Sequence, residues 1–155
     1  MGLKNQMGQG PNYVPAYQTS GTPFVTSSRG PTVVESPAQC VKFSSVTRFI
    51  EVRNTGGGGT AADSRGLRIG FSERGVLGFG GSVSGSLHER NGDHANFFVI
   101  PASGSTGRLE VRCKELWVAA DTPLPTGFTL IAGLTGIHPT QFPTLTGSNG
   151  FVGVG

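Results

Sequence analysis

The sequence predicts an all-β domain, a single jelly roll or other Greek-key β-sandwich with extended N- and C-terminal arms. Three observations carry that prediction. The 155 residues include 26 Gly and 10 Pro, which cut the apolar residues into runs too short for a capped helix. Several of those runs alternate with a period of two, the signature of a strand with one buried face. The connections at 54–66 and 75–95 are long, which favours Greek-key crossovers over an up-and-down barrel with tight hairpins.

Residues 1–22 form an arm of Gly, Pro, Asn and Gln with two tyrosines, Tyr13 and Tyr17, and no apolar periodicity. The sandwich is expected over 23–136. Pro23–Ser28, Thr32–Glu35 and Gln39–Phe43 are short β-prone pieces. In Val46–Arg53, Ile50 and Val52 point to one face while Glu51 and Arg53 point to the other. Leu67, Ile69 and Phe71 alternate inward along the next strand, and a Gly/Ser loop follows from Gly75 to Gly85. Asn96–Pro101 is a continuous apolar run, the pattern of a strand buried on both faces. Arg108–Val118 is the longest strand candidate. Leu109, Val111 and Cys113 share one face and Leu116 and Val118 the other, so a bulge or bend is expected near Lys114-Glu115. A helix across 112–121 is the competing reading. Phe128–Leu134 is the last core strand, and residues 137–155 form a tail too apolar for solvent and too Gly-rich for a helix. That tail is expected to dock on its own domain or on a neighbour.

Composition narrows the function. Charged residues make up 14% of the chain, against about 25% in a typical soluble domain, a surface that suits burial by a partner. The net charge is +3, and nine of the 12 basic residues are Arg, widely spaced. A nucleic-acid interface needs a dense basic stripe, so this pattern argues against one. No run has the length of a transmembrane helix, and membrane insertion is not expected. The opening Met-Gly-Leu-Lys-Asn-Gln lacks the apolar core of a signal peptide, and Gln6 stands where myristoylation wants Ser or Thr. No Asn-x-Ser/Thr sequon occurs. Cys40 and Cys113, the only cysteines, sit in strand-like runs and are expected as reduced thiols.

No catalytic, cofactor-binding or metal-binding residues are assigned, and a non-enzymatic role is expected. His88–His94 holds two imidazoles and two carboxylates, but the spacing fits no zinc site and Asn91-Gly92-Asp93 is a turn sequence. His138, before Pro139, reads as a turn residue. The Gly81–Gly85 serines have no strand-to-helix elbow to expose a nucleophile. The Gly56–Gly59 run lacks the lysine of a phosphate loop. Trp117 reads as core or interface, with a sugar-stacking platform as the alternative. The interface candidates are Tyr13, Tyr17, Trp117, Phe142 and Phe151, large aromatics of the kind that dominate contact energetics.

Several phrases resemble the small single-jelly-roll capsid proteins that form the vertices (pentons) of large icosahedral double-stranded DNA viruses. They are Thr22–Ser28, Phe49–Thr55, Leu67–Val76, Phe97–Pro101 leading into Arg108–Leu116, Gly127–Gly136 and Leu145–Gly155. The likeness covers most of the chain beyond residue 20. It implies a structural virion protein assembled in the host cytoplasm, five copies around a vertex, packed by strand faces and terminal arms. Its partners would be itself and neighbouring capsid proteins, with no cofactor. Lys4 is the only charge before Arg29, so the basic arm of genome-binding capsid proteins is missing and an outer-shell position is expected. The alternatives are a carbohydrate-binding jelly roll and a capsid decoration or minor capsid protein.

Overall fold

Alternating short runs bury one face each, and here they do so against one another. The computed structural model describes residues 21–28, 38–56, 65–77, 96–122, 124–146, 149–151 and 153–154. Seven strands appear among them: β1 (Thr22–Ser28), β2 (Gln39–Lys42), β3 (Thr47–Asn54), β4 (Leu67–Gly70), β5 (Phe98–Ile100), β6 (Glu115–Ala120) and β7 (Phe128–Leu134). They form two antiparallel sheets, ordered β1-β7-β3 and β2-β6-β4-β5. The all-β expectation holds. The expected arm at 1–22 lies outside the described residues up to residue 20, as do the Thr32–Glu35 piece, the Gly81–Gly85 serines and the His88–His94 cluster.

One apolar cluster lies between the sheets. β3 and β7 contribute Ile50, Val52, Phe128 and Leu130, and the other sheet contributes Val41, Leu67, Ile69, Leu116 and Val118. The period-two reading of β3 is met: Ile50 and Val52 are buried while Arg53 is exposed. At about 1.5–3 kcal/mol for each such side chain removed from water, this cluster is the main source of stability.

The segment 104–113 explains the change of phase at Lys114-Glu115. It runs beside β3, bridging Arg53 to Ser105 and Ile50 to Leu109, with the Leu109 and Ile50 backbones exchanging hydrogen bonds of 2.8 and 2.9 Å. Beyond Cys113 the chain crosses to the other sheet and becomes β6. The apolar face switches because the chain changes sheets, and the strand predicted over 108–118 is two pieces. The competing helix at 112–121 is absent; β6 occupies its place.

With that segment counted, the pairings nest. β1 pairs with β7, β2 with β6, β3 with 104–109, and β4 with β5.

Two further expectations are corrected. β5 is an edge strand rather than one buried on both faces: Phe98 and Val99 are exposed and only Ile100 is buried. Glu73–Leu77 is a five-residue helix, α1, where a loop was expected to begin. α1 lies on the outer face of the four-stranded sheet because Gly70 leaves a hollow there. A Cβ at Gly70 would sit 2.4 Å from Val76 Cγ2, and Val76 is fully buried.

The tail packs on its own domain. Ile137 is buried with Val46 and Phe142, and Val46 N–H donates to the Ile137 carbonyl at 2.9 Å. A 3₁₀ turn at Pro139–Gln141 is capped by His138, whose Nδ1 accepts from the Thr140 N–H. His138 is thus a turn residue, as read. Lys114 Nζ donates to the Phe142 carbonyl at 3.3 Å and to Thr144 Oγ1 at 2.8 Å. Ser72 Oγ donates to the Val154 carbonyl.

Candidate interaction surfaces

The two sheets finish their outer faces differently. On the four-stranded sheet, Trp117 lies opposite Cys40 on one side and Gly70 on the other. It is half-buried and packs with Ala38, Val76 and Ala119 under α1. Arg68, next to Ala119 in register, is 3% exposed. Its Nε donates to Asp121 Oδ1 at 2.6 Å, and its guanidinium lies 4.5 Å from the centre of the Phe97 ring. A buried arginine needs both a counter-charge and a surface for its flat face, and here it has both.

The three-stranded sheet is bare by comparison. Val25 and Ile131 stand directly opposite each other in register, 70% and 43% exposed. Glu51 lies on the other side of Ile131. One row along, the Phe49 ring packs against Gly133, where a Cβ would come within 2.3 Å of it. Arg108 stacks on that ring at 4.1 Å and pairs with Glu110 at 2.6 Å. The outer face is therefore an apolar strip bordered by charge along β3 and 104–113.

Phe142 and Phe151 meet in a groove of about 510 Å³ between tail and body, lined also by Phe71, Val111, Pro143 and Leu145. The structure brings these two interface candidates together and sets Trp117 apart, in the α1 cluster. Tyr13 and Tyr17 lie outside the described residues. The composition of the tail pointed to Phe142 and Phe151. Phe71 and Val111 were missed because both read as strand residues facing the core. Val25 and Ile131 were missed because an exposed β-branched residue in an alternating strand looks no different from a buried one.

At the other end of the sandwich, buried Asn54 fills its hydrogen-bonding capacity. Its Nδ2 donates to the Arg65 and Ile100 carbonyls at 2.7 and 3.1 Å, and its Oδ1 accepts from Gly56 N–H and Thr126 Oγ1 at 2.8 and 2.9 Å. This hub ties three connections together beside an open recess of about 570 Å³ lined by Ser27, Ser28, Thr55, Arg65 and Thr129.

Both cysteines are free. Burial, with the nearby Glu115 carboxylate adding to it, pushes the Cys40 thiol up to about 11. Burial pushes Cys113 up to about 11 as well, against the opposing hydrogen bond to Thr47. A thiol so placed is a poor nucleophile at neutral pH. Among the described residues no group of three His, Cys, Asp or Glu side chains is placed to hold a metal ion, and no helix is long and apolar enough to cross a membrane.

No family model, no curated protein and no solved structure matches this chain.

Proposed function

We propose that the chain is a structural subunit of an icosahedral viral capsid, built as a single jelly roll and placed at the fivefold vertex as a penton protein. The observation that carries the assembly reading is the open face of the three-stranded sheet. Contiguous exposed apolar surface marks interaction sites, and here Val25 and Ile131, neighbours in register, are both exposed. The nested pairing supports the jelly roll: first strand with eighth, second with seventh, third with sixth and fourth with fifth is the order that two Greek keys produce. The resemblance in Thr22–Ser28, Leu67–Val76 and Arg108–Leu116 supports the vertex. A closed ring would bury one patch against a different patch on each neighbour and leave no open end. The partners are further copies of this chain and adjoining capsid proteins, joined by sheet faces and by the arms at 1–22 and 137–155, in the virion shell.

The carbohydrate-binding alternative has less support. Trp117 is half-buried under α1, and among the described residues Arg112 is the only polar side chain lining the aromatic groove. A sugar site needs several donors and acceptors around its aromatic platform.

Native mass spectrometry and sedimentation of the full chain test the proposal. The expected result is a closed ring, five copies at the vertex, that Val25→Arg with Ile131→Arg dissociates into folded monomers. A chain that stays monomeric at high concentration, or an assembly indifferent to both substitutions, overturns it.

A further inference from the structure

The geometry points to a ligand site in the groove between tail and body, one that takes a straight-chain carboxylic acid. Its walls are half-buried apolar side chains, and most are backed from behind. Phe71, Val111 and Leu145 pack on the main core cluster, and Phe142 packs on Val46 and Ile137. Phe151 completes the wall from the tail. The Thr146 carbonyl accepts from the Asn149 and Phe151 N–H groups at 3.0 and 3.2 Å, a turn that sets the position of Phe151. The resulting space of about 510 Å³ falls within the range of roughly 300–1,000 Å³ found for small-molecule sites.

The tail is fastened where it lines this space. Lys114 Nζ donates to the Phe142 carbonyl at 3.3 Å and to Thr144 Oγ1 at 2.8 Å. Ser72 Oγ donates to the carbonyl of Val154, another lining residue. Two separate parts of the tail are thus tied to the body by polar bonds, and the apolar walls between them are held apart.

One charge remains in the lining. Arg112 borders the groove and is exposed, and no carboxylate is among the described lining residues. An apolar trough with a single guanidinium where it meets solvent complements an aliphatic chain with one anionic head. A neutral hydrocarbon would leave the guanidinium unused, and a polar ligand would find too few partners. Because Arg112 is exposed, the chain supplies most of the affinity. Each methylene taken into the groove tightens binding about fourfold, whereas the head group adds up to about fivefold. The site does not depend on the capsid reading.

Calorimetric titration of the full chain with decanoate, decanol and decylammonium at neutral pH tests the assignment. One decanoate per chain is expected, with octanoate weaker by about fifteenfold for its two missing methylenes. Decanol should bind up to about fivefold more weakly than decanoate, and decylammonium more weakly still. Arg112→Gln, a change at an exposed position, should abolish the advantage of the acid and leave decanol binding as it was. Methyl spectra locate the site: decanoate should shift Val111, Leu145 and Val154 and leave Val25 and Ile131 in place. No binding at millimolar decanoate, equal binding of acid, alcohol and amine, or a preference that survives Arg112→Gln overturns the proposal. Shifts centred on Val25 and Ile131 overturn it too. So do Leu145 shifts that grow with protein concentration alone, since they would put a second copy in the groove.

Discussion

The two outer sheet faces of this molecule solve one problem in opposite ways. The four-stranded sheet is covered by its own chain: α1 presses Val76 into the hollow over Gly70, Trp117 lies beneath it, and Arg68 is buried between Asp121 and Phe97. The three-stranded sheet keeps Val25 and Ile131 in the open. Both faces belong to strands of similar composition, so apolar content does not separate them. The separation comes from which connections fold back. Glu73–Leu77 returns over its own sheet, and among the described residues nothing returns over β1 and β7. A covered face contributes to the stability of the single chain, whereas an open one contributes only when something else covers it.

Substitutions on the two faces should therefore report on different properties. The largest effect is expected for Gly70→Leu. Its Cβ would collide with Val76 and lie 3.0 Å from the Asn96 carbonyl oxygen, so α1 must lift off. A loss of about 3–4 kcal/mol is expected in urea unfolding. A variant near wild-type stability would mean that α1 does not cover this face.

Val76→Ser comes next, at about 2–3 kcal/mol, since it removes a buried side chain and leaves a hydroxyl in its place. Circular dichroism should stay β-dominated, because the helix it loosens is only five residues long.

The thiols give the third test. Cys113 is fully buried, and burial raises its thiol from 9.0 to about 11. The folded state then holds this proton more tightly than the unfolded chain. Its contribution is whole below about pH 9 and is lost as pH climbs through 9 toward 11, by roughly 3 kcal/mol. Cys113→Ala should flatten the alkaline limb of the stability profile. Cys40, half exposed on the covered face, should flatten it less.

The smallest effect on stability is expected on the open face. Val25→Ser and Ile131→Ser should each change unfolding by no more than about 0.5 kcal/mol, while weakening assembly measured by sedimentation. A large stability loss there would show that this face is already covered within the monomer.

How much of this was legible in the sequence follows the same division. Strands that bury one face by alternation, β3 and β7, could be read directly from Ile50, Val52, Leu130 and their neighbours. The phase change at Lys114-Glu115 was visible, but a bulge and a change of sheet leave the same mark on the periodicity. β5 misled because Phe97-Phe98-Val99-Ile100 has the run of a doubly buried strand, and edge position is set by topology rather than by composition. α1 was hidden by Gly75, a poor helix former, and exists because tertiary packing of Val76 outweighs local propensity. Of the interface candidates, Phe142 and Phe151 stood out as aromatics in a tail. That they share a groove with Phe71 and Val111 depends on the tail's ties to Lys114 and Ser72, which no local pattern encodes.

The nested pairing also bears on how the chain finds its fold. Each pair from β4–β5 outward to β1–β7 is more distant in sequence than the last. Closing the β1–β7 contact alone would incur the whole loop entropy at once. Closing the inner pairs first brings the outer strands together in small steps, as a zipper does. The high share of non-local pairing still predicts folding in milliseconds to seconds rather than microseconds. β1 is then the last strand to add and the first to exchange its amide hydrogens. When it leaves, β7 presents a bare backbone edge, and that opened state is where unwanted strand addition between chains would begin.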